Sequence, residues 1–113
     1  MVWVKECEKV YKKAGFKKPV FLCDNMQKKR FFVDVPKGVQ VEIQYSYDTP
    51  KVKTFRAEKI QWHSYEAGLL ESDFAFEMIG ITALRLHILT GNLPEDFTPV
   101  KLEIYEKSEM KEA

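Results

Sequence analysis

From Val39 to Tyr47 apolar and polar residues alternate without a break. Val39, Val41, Ile43, Tyr45 and Tyr47 fall on one side, and Gln40, Glu42, Gln44 and Ser46 on the other. Successive side chains of a strand point to opposite faces, so this pattern predicts a strand with one buried and one wet face. Phe31, Val33 and Val35 alternate in the same way upstream, across a Pro-Lys-Gly turn, and Asp48 and Pro50 reverse the chain downstream. Residues 28–60 therefore read as consecutive antiparallel strands. In "KVKTFRAEKIQWHS" the phase slips from Val52 and Thr54 to Phe55 and Ala57, then to Ile60 and Trp62, which predicts a bulge or a sheet corner. "YEAGLLES" reads as a loop, and Phe74, Phe76 and Met78 resume the alternation.

Two other stretches carry a period. Near the N-terminus Trp3, Cys7, Val10, Tyr11 and Ala14 recur at three- and four-residue spacing with charged residues between them. That spacing predicts an amphipathic helix over residues 1–15 with Gly15 as its C-cap and Lys12 and Lys13 at the negative end of its dipole. Toward the C-terminus Leu84, Leu86 and Ile88 alternate with Arg85 and His87, and Val100, Leu102 and Ile104 alternate with Lys101, Glu103 and Tyr105. A loop with Gly91, Asn92, Pro94 and Pro99 separates them, which predicts a closing pair of strands. The alternative, a helix over 77–89, would have to run through Gly80 and the β-branched Ile81 and Thr82. The expected fold is mainly β: an antiparallel β-sandwich or jelly-roll-like double sheet with one N-terminal helix, or α+β under the alternative. Its 113 residues make one domain: helix 1–15, β core 16–107 and a polar tail 108–113.

Composition narrows the class. Hydrophobic residues at 45% and aromatic residues at 13% fit a folded domain, and a chain of this size buries a core without metal or disulfide help. Lysine outnumbers arginine 15 to 3 and glutamate outnumbers aspartate 12 to 5, a bias that leans toward a thermophilic source. Residues 1–30 hold nine cations against three acids, so the net +1 conceals a basic first third. No apolar run has membrane-spanning length, and the charges in "MVWVKECEKVYKK" interrupt any signal-like stretch. The expected location is cytoplasmic or virion-associated.

Reactive constellations are sparse. Cys7 and Cys23 lack the spacing of a zinc site; they read as two small buried hydrophobes or, alternatively, as a disulfide. His63 and His87 do not form the paired imidazoles that a metal needs, and His87 reads as a cross-strand neighbour of Lys101 or Glu103. No nucleophile elbow or phosphate loop is present, so no catalytic residue, metal or cofactor is expected. A small enzyme with a cleft near His63 is the remotest of three readings.

Two segments suit binding. "QWHSYEAG" brings Trp62, His63 and Tyr65 to a strand end, where flat rings with polar tips suit a ligand or a protein partner. The outer face of Gln40, Gln44 and Ser46 is polar and nearly uncharged, which suits contact with another protein. The basic segment interleaves Lys17, Lys18, Lys28, Lys29 and Arg30 with Phe32, the mixture of cations and rings that a nucleic-acid binder uses.

The span Phe74–Tyr105, with its Gly80–Leu86 "GITALRL" strand and its Val100–Ile104 "VKLEI" strand, resembles the closing strands of phage-encoded and carbohydrate-binding β-sandwich modules. The resemblance implies a binding module, such as a viral or phage accessory protein or a sugar binder. The first expectation is accordingly a non-catalytic binding or structural module that acts through protein–protein contacts and self-association. The alternative is a nucleic-acid-binding protein that uses the basic first third.

Overall fold

The alternating stretches around Phe31, Val41, Leu86 and Leu102 are strands in the computed structural model, which describes residues 2–22, 28–47, 61–89 and 99–108. In chain order the strands are β1 (Val2–Tyr11), β2 (Gly15–Phe16), β3 (Val20–Phe21), β4 (Lys29–Asp34), β5 (Gln40–Ser46), β6 (His63–Leu70), β7 (Phe74–Met78), β8 (Ala83–Leu89) and β9 (Val100–Ser108). They form two antiparallel sheets. Sheet A has the order β1-β9-β4-β7; sheet B has the order β2-β8-β5-β6, with β3 also on β8. β2 and β3 are one strand interrupted around Pro19, which has no N–H to give to a ladder. Lys17 N–H donates to Leu86 O, and Leu22 N–H donates to Thr82 O, so pairing with β8 continues on both sides of the break. Counted that way, the eight strands of the described residues follow the double Greek-key order of a jelly roll, in which each sheet draws its strands from both halves of the chain.

The core lies between the two inner faces. Phe31 and Val33 of β4, Phe76 of β7, and Val100, Leu102 and Ile104 of β9 come from sheet A; Val41 and Ile43 of β5, and Leu84, Leu86 and Ile88 of β8, come from sheet B. Each large aliphatic or aromatic side chain so buried contributes about 1.5–3 kcal/mol. Phe31 and Phe76 stack with centroids 4.8 Å apart and add a specific contact between β4 and β7 of sheet A. In β6 the register with β5 shifts between Glu42 and Gln44, and Gly68 takes φ +72° there, a left-handed conformation that lets the edge strand kink away from the ladder.

The structure corrects several sequence expectations. Residues 2–11 are a strand and not a helix, and among the described residues there is no helix at all. The reason is a bulge. β1 pairs with β9 from Val2↔Ser108 to Tyr11↔Val100, and the register shifts between Lys5 and Cys7, leaving Glu6 as the extra residue. The shift moves Trp3 to the outer face while Cys7 and Tyr11 pack on the core, so the four-residue spacing of these three comes from two faces of one strand. The alternative helix over 77–89 is also absent: β7 ends at Met78, a turn with Gly80 at φ +91° follows, and β8 begins at Ala83. "YEAGLLES" is largely strand β6 rather than loop. β8 and β9 do not pair with each other; they lie in opposite sheets, β8 against β5 and β9 against β4. The phase slip expected at residues 51–60 and the partner thiol Cys23 lie outside the described residues, whereas Cys7 is a free, half-buried thiol. No helix among the described residues is long and apolar enough to cross a membrane.

Candidate interaction surface

The two outer faces of the sandwich differ in kind. On sheet A the charges are paired within the chain. Lys5 lies 3.3 Å from Glu8 and 3.1 Å from Glu103, and Lys101 lies 3.1 Å from Glu8 and 3.4 Å from Glu103. The Tyr105 hydroxyl donates to Glu103 at 2.8 Å, which with Lys5 holds the Glu103 carboxyl below its ordinary value. The same face carries two of the five basic residues singled out in the sequence, Lys28 and Arg30. Arg30 donates through Nη2 to Glu77 at 2.6 Å and lies over the Trp3 ring at 4.2 Å; Lys28 is 3.6 Å from the same carboxylate. The Phe32 ring meets Tyr105 edge-on at 5.5 Å. Lys29 is on the other side of β4, 1% exposed, with its ammonium 2.6 Å from Glu6 and 3.6 Å from Glu106. Among the six residues named for nucleic acid, Lys17 donates to Ala14 O and Lys18 stands exposed, so the cations do not form one free stripe.

Sheet B presents a different surface. Its outward positions bring Phe16 of β2, Arg85 and His87 of β8, Glu42 and Gln44 of β5, and Ser64 of β6 together with Trp62, one residue before that strand. Phe16 and His87 face each other across the β2–β8 ladder with rings parallel to within 9° at 3.9 Å. The Arg85 guanidinium lies 4.6 Å from the Phe16 centroid and 4.4 Å from the Trp62 centroid. A cation over a ring face is worth about 0.5–2 kcal/mol depending on how dry the site is, and here two rings contribute. Burial there pulls the Arg85 pKa below the usual arginine value. Its Nε donates to Gln44 Oε1 at 2.7 Å, and Gln44 Nε2 donates in turn to Glu42 Oε1 at 3.1 Å. Glu42 also faces His87 Nδ1 at 3.7 Å and accepts from Ser64 Oγ at 3.5 Å. Unlike Lys5, Lys28, Arg30 and Lys101 of sheet A, Arg85 has no carboxylate within ion-pair distance among the described residues. Phe16 is 55% exposed, and Phe21 and Leu69 are also large exposed apolar residues.

Trp62, His63 and Tyr65, adjacent in sequence, are divided between two places. Trp62 joins the Arg85 surface. His63 pairs with Tyr45 across β5–β6 and closes a ring cluster with Tyr45 and Tyr47, at centroid distances of 5.7 and 6.1 Å. Tyr65 turns into that cluster and onto Phe74 and Phe76 of the core. His87 neighbours Phe16 and Glu42 rather than Lys101 or Glu103, because β8 and β9 are in different sheets. Sequence reasoning reached Gln40, Glu42 and Gln44 as outer positions of β5, but Ser46, expected beside them, is buried, and Phe16 and Arg85 were not reached as members of one surface. The available signal was that Arg85, His87, Gln44 and Glu42 all fall on wet faces of alternating strands; only topology places them side by side.

At one end of the sandwich an open recess of about 440 Å³ lies among Val10, Asp34, Pro36, Asp73, Pro99 and Lys101. Two of its polar groups are engaged within the chain: Asp73 Oδ1 accepts from Val35 N–H at 2.8 Å, and Lys101 serves Glu8 and Glu103. Among the described residues no three His, Cys, Asp or Glu side chains stand close enough to hold a metal ion. In comparisons with known proteins no family model matches the chain, and no curated protein or solved structure matches it.

Proposed function

We propose that the protein is a non-catalytic binding domain that acts through protein–protein contact, with the outer face of sheet B as its contact surface. The observation that carries this reading is Arg85, set against the rings of both Phe16 and Trp62 and lacking a carboxylate partner among the described residues. Arginine and tryptophan are the side chains that dominate interface energetics, and a guanidinium already restrained loses little freedom on docking. The surrounding Gln40, Gln44 and Ser64 supply polar contacts without a strong field, while Phe16 and Leu69 add exposed apolar area.

A nucleic-acid reading is less well supported. Lys29 is inside the sandwich, and Lys28 and Arg30 already share Glu77. A phosphate backbone needs a row of cations, whereas sheet B offers Arg85 beside Glu42.

The test is light scattering over a concentration series. Mass that rises with concentration in the intact protein, and stays at the monomer value in Phe16→Ser and Leu69→Ser, is the expected result. A monomer at every concentration in the intact protein counts against the reading.

A further inference from the structure

The outer face of sheet B carries both halves of an ion pair that it does not close. Arg85 is on β8 opposite Gln44, and Glu42 is two residues along β5 opposite His87. In sequence of contacts the three form a line: Arg85 Nε to Gln44 Oε1 at 2.7 Å, then Gln44 Nε2 to Glu42 Oε1 at 3.1 Å. Gln44 sits between the two charges and keeps them from pairing within one chain. A two-fold axis through the middle of such a line exchanges its ends. It sets the cation of one copy against the anion of the other and leaves the two Gln44 amides facing each other. That is the condition for an isologous contact, in which one patch is its own complement.

We propose that two copies of the chain pack face to face through the outer surface of sheet B, about a two-fold axis near Gln44, so that Arg85 of each takes the Glu42 carboxylate of the other. The proposal rests on the reading of this face as a protein contact surface and adds its occupant. Three observations favour a second copy. The carboxylate that Arg85 lacks among the described residues is present on the same surface as Glu42, one hydrogen-bonded amide away. The guanidinium is restrained by the Phe16 and Trp62 rings and by the bond from its Nε to Gln44, so it loses little freedom on meeting a carboxylate. The flanking Phe16 and Leu69 are exposed and would be covered together. The face has no excess of positive charge to attract a polyanion instead, since Glu42 balances Arg85 and Glu71 holds Gln40 at its end.

Charge exchange between copies tests it. Sedimentation of Arg85→Glu and of Glu42→Arg, each alone, is expected to show self-association weakened by about 100-fold or more, because each homodimer would set two like charges together. Mixing the two variants in equal amounts is expected to restore association to within about tenfold of the unaltered chain. In that mixed dimer Arg85 of one chain meets Glu42 of the other, and Glu in place of Arg85 meets Arg in place of Glu42. Rescue by mixing reads contact between chains and not folding within one. Near-ultraviolet circular dichroism checks the fold of each variant. Should either charge reversal unfold the protein, Arg85→Gln and Glu42→Gln carry the test, each expected to weaken association about tenfold. An intact protein that associates, loses association in Phe16→Ser, but keeps it in these charge variants overturns the pairing and leaves the contact surface standing. Single variants that weaken association without recovering on mixing also overturn it. A monomeric intact protein overturns both.

Discussion

The Glu6 carboxylate accepts a 2.6 Å hydrogen bond from the Lys29 ammonium, a side chain only 1% exposed at the edge of the core. Glu106 Oε1 stands 3.6 Å away and has no hydrogen-bond partner of its own among the described residues. The bulge in β1 makes the first contact available, since the extra residue at position 6 is the one that turns to Lys29. A buried cation that loses its carboxylates is left uncompensated, and such losses cost about 3–5 kcal/mol. The two carboxylates are 22% and 29% exposed and can turn toward water if the lysine is removed.

The double variant Glu6→Gln/Glu106→Gln is therefore expected to lose about 3–5 kcal/mol of stability, and Lys29→Met no more than about 2 kcal/mol. Urea unfolding at pH 7 measures both. Equal losses, or a larger loss for Lys29→Met, would show that the cation is not the group the site must compensate.

Acid should weaken the outer face of sheet A. The hydrogen bond from Arg30 holds the Glu77 carboxyl below its ordinary value, that from Lys101 does the same for Glu8, and that from Tyr105 for Glu103. A carboxyl with a lowered folded-state pKa contributes stability above its unfolded value, near 4.5, and loses it as pH falls through the lowered one. Stability set by these groups should stay level from pH 7 to about 5 and fall below about 4. Glu77→Gln should flatten part of that fall; an unchanged acid limb in urea titrations would remove Glu77 from the explanation.

Alkali should act through Tyr11. Burial pushes its hydroxyl up to about 12 from an ordinary 10. The folded chain keeps this proton where the unfolded chain has released it, so stability is complete below pH 10 and declines as pH rises from 10 to 12. Tyr11→Phe is expected to remove part of the decline, with thermal melts between pH 9 and about 11.5 as the measurement. Identical alkaline slopes in both proteins would refute the assignment.

Gly68 offers a test of β6. Its φ of +72° lies in the left-handed region, and a Cβ there would meet nothing within 4 Å. The cost of Gly68→Ala is then backbone strain alone, expected at about 1 kcal/mol, with Gly68→Asn milder because asparagine tolerates this conformation. A loss above about 3 kcal/mol would mean a steric clash that this geometry does not contain.

Legibility in the sequence followed the depth of each strand. β4, β5, β8 and β9 lie in the interior of their sheets, so one face of each is sealed and the two-residue period is clean: Phe31 and Val33, Val41 and Ile43, Leu84 and Leu86, Leu102 and Ile104. β1 and β6 are edge strands, where packing constrains fewer positions. In β1 the bulge at Glu6 changes face midway and imitates a helical period, and in β6 the shift near Gly68 breaks the alternation that marks a strand. The candidate surface was legible only as separate wet positions. Phe16 and Arg85 are 69 residues apart in sequence and meet because β2 pairs with β8. Conversely, Trp62 and His63 are neighbours in the chain and point to opposite sides of sheet B.

The pairing of Val2 with Ser108 has a mechanical consequence. β1 and β9 run antiparallel, and this pair closes one end of their ladder. A load that pulls Val2 and Ser108 apart therefore falls on one residue pair at a time and peels β1 away like the teeth of a zipper, where strands pulled along their length would share the load across all their hydrogen bonds. Such a load would pass Trp3 under Arg30 and Lys5 on Glu103 before it reached the bulge, where Glu6 grips Lys29.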